Sequence, residues 1–281
     1  MLKLEDGLRV LLKKVATSLP SDVEEALKIA YEREPDTGAS KDVLGYILEN
    51  VRAAKTAETP LCQDTGTPIF YVKAPKELGF KTIEESVTRA VRAATASIPL
   101  RPNAVDPVTE KNTGDNTGIG IPEIYFEQSE EGALQIDLVL KGAGSENSGT
   151  FYRLPDETLG AERDFNGVRK CVLDAVHKAQ GKGCPPYTVG VGIAGTRLMA
   201  AKLSRLALMR KLPDEARVEP IKELERTLLK EINELGIGPM GLGGSCTALG
   251  VKVEYAHRHT GSYFVDISFA CWAHRRGRLL W

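Results

Sequence analysis

The sequence predicts an α/β or α+β fold, in which helices cover a mixed sheet and the N-terminal region is helical. Apolar residues recur at three- and four-residue spacing in several segments, which is typical of amphipathic helices. Short runs rich in β-branched residues lie between turn-forming residues, as strands do. No repeat or polar linker interrupts this pattern, so residues 1–281 are expected to form a single domain with a helical part over about 1–58.

The predicted helices follow from one-sided apolar patterns and from residues that favour helix ends. Ser21 with Glu24 and Thr82 with Glu85 fit the capping box, in which side chains satisfy backbone N–H groups, so helices are expected to begin near 22 and 83. Gly236 stands where a C-terminal cap would end a later helix. The helical patterns lie at 8–15, 43–51, 166–180, 196–210 and 219–235.

Strands are predicted where short apolar and β-branched runs lie between turn-forming residues. Residues 134–140 (LQIDLVL) alternate in the way a half-buried strand does, and residues 67–72 have a similar composition. The run YTVGVGIAG from Tyr187 predicts a further strand. Residues 251–255 (VKVEY) and 262–270 (SYFVDISFA) predict a pair of strands near the end of the chain.

Composition and charge exclude several classes of function. The formal net charge of -1 lacks the basic excess that phosphate backbones attract, so no nucleic-acid partner is expected. The segment MLKLEDGLRVLLKKV has no signal-peptide run, and no apolar stretch is long enough to span a membrane. Five cysteines, an odd number, do not suggest a secreted disulfide framework. These features predict a cytoplasmic protein with reduced thiols.

The most unusual segments are loops rich in Gly, Asn, Asp, Thr and Cys. Such loops expose backbone N–H groups and short polar side chains, which are suited to holding anions. The loops therefore indicate where a binding site for an acidic small molecule would lie. They cover residues 60–68, 100–122, 141–149, 181–186 and 236–246.

The five cysteines divide into one core residue and four candidates. Cys171 lies on the apolar face of a helical pattern, which predicts a buried position. Cys62, Cys184 and Cys246 lie in the polar loops, and Cys271 ends the last predicted strand. The absence of any CxxC pair argues against a zinc ribbon, a thioredoxin-like pair and the ferredoxin motifs. Scattered buried thiols and a dispersed iron–sulfur site both stay open from spacing alone.

Four long motifs stand out along the chain: LCQDTGT at 61–67, KGAGSEN at 141–147, GIGPMGLGG at 236–244 and YAHRHTGSYFVDISFACWAHRR at 255–276. In this order they closely resemble motifs of class I fumarases and the related L-tartrate dehydratases. The resemblance runs over nearly the whole chain, and it implies a hydro-lyase acting on a small dicarboxylate substrate.

The resemblance also implies a 4Fe-4S cluster that three cysteines hold and whose fourth iron is open to substrate. Matching the motifs gives Cys62, Cys184 and Cys271 as the ligands. Cys246 departs from the family pattern, because a cysteine there is not a recognised ligand, and it stays the outside candidate. An open iron would act as a Lewis acid on the substrate hydroxyl.

The same motif matching implies roles for five further residues. Asp64 resembles the family's catalytic acid, with an Asx-turn residue as the alternative, and Gln63 resembles a substrate contact. Arg101 resembles a residue that binds a substrate carboxylate, although an isolated loop arginine is usually only solvated. Gly144 would offer its backbone N–H to the same anion, and His259 matches a histidine near the active site.

In this family the proton-abstracting base and further cationic substrate contacts belong to a second part, so a separate β subunit is expected as the partner. The leading hypothesis is reversible hydration of fumarate to L-malate, and the alternative is conversion of tartrate to oxaloacetate. A cluster-binding or thiol-sensing protein without an enzymatic partner is a hypothesis of a different class. A purely structural zinc protein is a third.

Overall fold

The computed structural model describes residues 4–36, 38–130 and 132–281. Three helices come first, and further helices then alternate with strands that form two mixed sheets. This arrangement confirms the predicted fold class. The helices are α1 Leu4–Thr17, α2 Ser21–Arg33, α3 Ala39–Ala57, α4 Phe80–Ser97, α5 Ala143–Asn147, α6 Phe165–Ala179, α7 Arg197–Ala207 and α8 Glu219–Glu234, with a 3-10 turn at Pro239–Gly241. The strands are β1 Thr67–Ala74, β2 Glu123–Gln128, β3 Gln135–Lys141, β4 Thr150–Arg153, β5 Tyr187–Ala194, β6 Ala248–Tyr255, β7 Phe264–Ala270 and β8 Arg276–Leu280.

The chain divides into two compact units. Unit 1 comprises the described residues within Met1–Pro20, Glu49–Ala143 and Ala273–Trp281, and unit 2 comprises those within Ser21–Leu48 and Gly144–Trp272. The single domain that the sequence suggests over 1–281 stays a prediction. Within the described ranges, no helix combines the length and the apolar composition that crossing a membrane would require.

Unit 1 is built on a four-stranded sheet in the order β2-β1-β3-β8. Strand β1 runs parallel to β2 and antiparallel to β3, and β3 runs antiparallel to β8. Helices α1 and α4 bury their apolar faces against this sheet, because Leu8, Leu12 and Val87 join Phe70 and Leu138 in one core cluster. The residues that follow α3 and precede β1 thus lead directly into the sheet, and they carry the first cysteine motif.

Unit 2 contains the second sheet, in the order β4-β7-β5-β6. Strand β5 is buried along its whole length between its parallel neighbour β6 and its antiparallel neighbour β7. Helices α6 and α8 pack their apolar residues into the same core, which includes Val168, Cys171, Leu228 and Val191. The predicted core position of Cys171 is therefore confirmed.

Several predicted element ends differ from the structure for local reasons. The prediction of a capping box at Thr82 and Glu85 is wrong. Helix α4 already begins at Phe80 with Gly79 as its extended N-cap, so Thr82 lies in the first turn. Gly236 is confirmed after α8 and has the left-handed φ of 66° that favours glycine there. The two late strands are confirmed as β6 and β7, but β5 lies between them.

Candidate active site

Asp64 lies in the loop between α3 and β1, two residues after Cys62, and is half-buried. Its carboxylate Oδ1 accepts a hydrogen bond from the backbone N–H of Gly66 at 2.9 Å, which is the Asx-turn geometry. Its Oδ2 accepts a second bond from the backbone N–H of Ala143 at 2.7 Å. The backbone carbonyl of Asp64 accepts a third bond, from Arg275 Nη1 at 2.7 Å. Both carboxylate oxygens are therefore fixed in space, as a group that transfers a proton to or from a bound molecule needs to be.

The loop around Asp64 is pressed closely against the sheet of unit 1. Gly66 has a φ of 85°, and a Cβ at this position would lie 2.8 Å from the carbonyl carbon of Leu140 in β3. Both the left-handed conformation and the close approach require glycine. At the start of the loop, Leu61 is anchored by a backbone bond to Ala16 and a side-chain bond from Asn50, at 3.0 and 2.9 Å.

Two further residues of this motif differ in their exposure. Gln63 is exposed to solvent, whereas Cys62 is half-buried. Gln63 could therefore contact a small molecule that reaches the Asp64 carboxylate. Cys62 is not in a disulfide.

Arg101 is held next to this loop by its backbone. The Thr65 hydroxyl accepts from the Arg101 N–H at 3.0 Å and donates to the Arg101 carbonyl at 3.3 Å. The buried Asn116 amide donates to the same carbonyl at 3.0 Å and accepts from the Asn103 N–H at 2.7 Å. The Arg101 side chain is exposed, and its guanidinium has no hydrogen bond or ion pair with any residue that the structure describes. An anchored backbone with an unengaged guanidinium is suited to binding a carboxylate.

The sequence did not identify Thr65 or Asn116, although both lie in the quoted polar loops. Thr65 follows Asp64 directly and is 3% exposed, and Asn116 is 2% exposed with a left-handed φ of 57°. Asn116 also donates to the hydroxyl of Thr95 in α4 at 3.1 Å. A buried asparagine in this conformation is a signal for a structural amide, but its partner cannot be read from the sequence.

Cys184 and Cys271 come together in unit 2. The backbone carbonyl of Cys184 accepts a bond from the N–H of Trp272 at 3.0 Å, so the two cysteine segments are joined directly. Both thiols also lie near the phenol of Tyr187, whose pKa burial raises to about 12, with the two cysteines adding to the rise. Cys184 has a φ of 58°, a conformation that non-glycine residues rarely adopt and that often occurs at functional sites.

The donor chemistry of this cysteine pair fits an iron–sulfur cluster. Both side chains are half-buried, neither is in a disulfide, and cysteine thiolates are the usual protein ligands of such clusters. Cys62, in unit 1, is likewise half-buried and not in a disulfide. Over residues 4–36, 38–130 and 132–281, no three His, Cys, Asp or Glu side chains form a ready-made metal site.

Cys246 differs from these candidates in its surroundings. Burial, with a smaller contribution from the carboxylate of Glu34, raises the pKa of its thiol to about 12. The backbone N–H of Cys246 donates to Glu34 at 2.8 Å, and the same carboxylate accepts from Ser245 and Ser40. The buried Glu34 thus joins the end of α2 to this loop, which accounts for the segment structurally. A raised pKa disfavours the thiolate form that ligates metals.

Gly144 is the second residue of α5, where backbone N–H groups have no partner within the helix. A Cβ on Gly144 would lie 3.1 Å from the carbonyl oxygen of Lys182, two residues before Cys184. The Ser148 hydroxyl donates to the Gly144 carbonyl at 2.8 Å. Unit 2 therefore places Gly144 against the loop that carries Cys184.

His259 lies in the connection between β6 and β7 and is exposed. Its Nδ1 accepts from the backbone N–H of Gly261 at 3.0 Å, so the neutral ring carries its proton on Nε2. Arg258 Nη1 donates to the carbonyls of His259 and Thr260, both at 3.1 Å, and its guanidinium stacks on Tyr263 at 4.8 Å. The His259 ring therefore has one fixed acceptor and one N–H available as a donor.

Comparisons with known proteins agree with these motifs. The family model described as fumarate hydratase (Fumerase) matches residues 5–279. The chain is 41% identical over 279 residues to a protein assigned as a class I fumarate hydratase from Geobacillus stearothermophilus. This alignment covers 98% of the present chain but only 54% of that protein. It is 42% identical over 281 residues to a protein assigned as an L(+)-tartrate dehydratase subunit alpha from Methanocaldococcus jannaschii, which covers 98% and 96% of the two chains. It is 35% identical over 268 residues to the L(+)-tartrate dehydratase subunit alpha of Escherichia coli, at 95% and 86% coverage.

Proposed function

Because the chain belongs to the fumarate hydratase (Fumerase) family, we propose that it is the α subunit of a cytoplasmic hydro-lyase that interconverts fumarate and L-malate. The main structural support is the Asp64 loop, in which a doubly anchored carboxylate lies beside the backbone of an arginine with an unengaged guanidinium. Conversion of L-tartrate to oxaloacetate is the second candidate. It is favoured by the alpha-subunit relatives that this chain matches over nearly their whole length.

In this proposal Cys62, Cys184 and Cys271 hold a 4Fe-4S cluster that has one iron without a protein ligand. When bound, the cluster supplies a Lewis acid for the substrate hydroxyl. The joined segments of Cys184 and Cys271 support two of the three ligands, because two thiols from separate loops already lie near one phenol. The raised pKa of Cys246 supports leaving that residue out.

The remaining roles are assigned to residues of this chain that donate, accept or orient. Asp64 delivers or accepts the proton on the water side of the reaction, which its fixed oxygens favour. Arg101 binds one substrate carboxylate through its planar guanidinium, and the Gly144 N–H donates to the same anion. Gln63 and the Nε2–H of His259 contact substrate oxygens. Exposure of Gln63, Arg101 and His259 supports these roles.

We assign the proton-abstracting base, and further cationic contacts to the substrate, to a β subunit. The names of the relatives from M. jannaschii and E. coli, both alpha subunits, support a partner. The present chain spans about half of the length of the Geobacillus relative, which is consistent with a further part in that protein. Activity, substrate and partner are therefore proposed for the assembled enzyme.

The decisive experiment is an anaerobic assay of the cluster-loaded chain, alone and together with its β subunit, on fumarate, L-malate and L-tartrate. We expect rapid hydration of fumarate only when both subunits are present. The chain alone is expected to be slower by at least roughly 10²–10⁴-fold, which is the usual contribution of a general base. Faster turnover of L-tartrate would select the second candidate function. Equal fumarate turnover with and without the β subunit would contradict the assignment of the base.

Replacing Arg101 by lysine tests the carboxylate contact. We expect Arg101→Lys to raise KM roughly tenfold, because an ammonium group forms one hydrogen bond where the guanidinium forms two parallel ones. Turnover at saturation is expected to fall much less. The measurement is steady-state kinetics of the assembled enzyme. Arg89→Lys, which changes an exposed arginine paired with Glu5 on the same unit, is the matched control. An unchanged KM in Arg101→Lys would remove Arg101 from the binding site.

A further inference from the structure

Arg275 is the largest fully buried side chain of the described residues and is 1% exposed. It lies just before β8 and is tied to the sheet of unit 1, since its backbone carbonyl accepts from the N–H of Leu140 at 3.1 Å. Its Nη1 donates to the carbonyl of Asp64 at 2.7 Å. Its Nε has no hydrogen-bond partner among the described residues. No carboxylate of these residues forms an ion pair with the Arg275 guanidinium.

A buried guanidinium that forms no ion pair is costly to a fold, because the charge loses its hydration and has no carboxylate in direct contact to offset that loss. Three residues later in the same segment, Arg278 shows the ordinary arrangement. It is largely exposed and pairs with Asp137 at 2.6 Å. An apolar residue at position 275 would extend the core of unit 1 without this cost. The buried charge at Arg275 therefore calls for an explanation other than packing.

Gly142 shows what the Arg275 guanidinium adjoins. A Cβ on Gly142 would lie 3.2 Å from Asp64 Oδ2 and 3.6 Å from Arg275 Nη2, so the carboxylate and the guanidinium both border this glycine. The next residue, Ala143, donates its N–H to the same Oδ2. The Arg275 guanidinium thus lies near the Asp64 carboxylate, and it also bonds to the Asp64 main chain.

We infer that Arg275 is a positioning residue for Asp64. Three donors hold Asp64. Two are the backbone N–H groups of Gly66 and Ala143, and the third is the side chain of Arg275. The guanidinium fixes the Asp64 peptide through its bond to the carbonyl, and its Nη2 borders the same glycine as the Asp64 carboxylate. Because misplacement of a reacting group by about 1 Å can cost 10²-fold in rate, loss of this anchor is expected to lower turnover.

The kinetic test of this inference rests on the proposed function, whereas a second test, by amide hydrogen exchange, does not. In the assembled enzyme, Arg275→Gln is expected to lower kcat per bound cluster by roughly 10²-fold and to change KM little, because the residue acts through Asp64 and does not touch substrate. Amide hydrogen exchange at Gly66 and Ala143 is expected to become at least roughly tenfold faster, since both amides donate to the Asp64 carboxylate.

Arg278→Gln is the matched control, because it breaks the ion pair with Asp137 three residues later, in β8 of the same unit, without contact to Asp64. It is expected to leave kcat and the exchange of both amides unchanged. A purely structural role for Arg275 predicts a lower unfolding temperature with wild-type kcat per cluster and wild-type exchange at these amides. That result would overturn the inference.

Gly142→Ala serves if Arg275→Gln does not fold. It keeps the buried charge and forces the Asp64 carboxylate to move by a few tenths of an ångström. We expect a severalfold lower kcat and faster exchange at Ala143, and wild-type values of both would overturn the inference. A wild-type complex inactive on every tested dicarboxylate would refute the proposed function instead, and the exchange data would still decide the role of Arg275.

Discussion

Replacing Cys184 by serine is expected to remove nearly all iron and sulfide from the protein and to abolish turnover of the assembled enzyme. In the proposed site Cys184 is one of three cluster ligands, and a serine hydroxyl is a poor substitute for a thiolate. Loss of a Lewis acid worth several kcal/mol should lower kcat by at least roughly 10³-fold. The measurements are iron and sulfide per chain after anaerobic reconstitution, and hydration of fumarate. Cys62→Ser and Cys271→Ser should behave alike.

Two other cysteines provide the controls for this prediction. Cys171→Ala alters a thiol that is fully buried in the core of unit 2, and it should lower stability while leaving the iron content unchanged. Cys246→Ala removes a buried thiol beside Glu34 and should also retain the cluster. Normal iron in Cys184→Ser would contradict the ligand assignment. Normal iron in Cys271→Ser, with loss in Cys246→Ala, would move the third ligand to Cys246.

The sequence predicted the elements whose pattern is local. Helix α6 was evident from one apolar face that includes Val168, Cys171 and Ala175, and these residues are fully buried. Strand β8 was not predicted, because the run from Arg276 to Leu280 contains a glycine and two arginines, and it is a strand through its pairing with β3. Edge strands of this kind depend on a neighbour distant in sequence, which propensity does not contain.

The candidate site shows the same division between local and long-range information. Asp64 and Arg101 came from resemblance to a family, and their own neighbours in sequence carry the motif. The groups that hold these two residues were not predicted, because they are distant in sequence. Asn116 is 15 positions from Arg101, and Arg275 is 211 positions from Asp64. A sequence motif thus marks the residues that contact substrate more readily than those that position them. The latter emerge from buried polar groups whose hydrogen bonds can be counted.

Asp64→Asn is expected to lower kcat of the assembled enzyme by roughly 10²–10⁴-fold, the usual contribution of a general acid or base. An amide cannot exchange a proton in the same way, and it also disturbs the anchored geometry. One oxygen of the side chain can still accept from Gly66, but the new NH₂ group would face the N–H of Ala143, and two donors do not bond. Iron content should stay normal, since Asp64 is not among the proposed ligands.

Asp106→Asn is the matched control for Asp64→Asn, because it isolates the Asx-turn from the proposed chemistry. Asp106 Oδ1 accepts from the N–H of Val108 at 2.8 Å, which is the same two-residue geometry as in the Asp64 loop, but this carboxylate is exposed. The side-chain oxygen of an asparagine can keep this bond and the longer one from the N–H of Thr109 at 3.4 Å, so turnover should stay at the wild-type level. If Asp64→Asn were as active as Asp106→Asn while carrying a full cluster, Asp64 would be only a turn residue. The acid on the water side would then have to be sought elsewhere, first at His259, because histidine is the side chain among the other proposed contacts that commonly acts as a general acid.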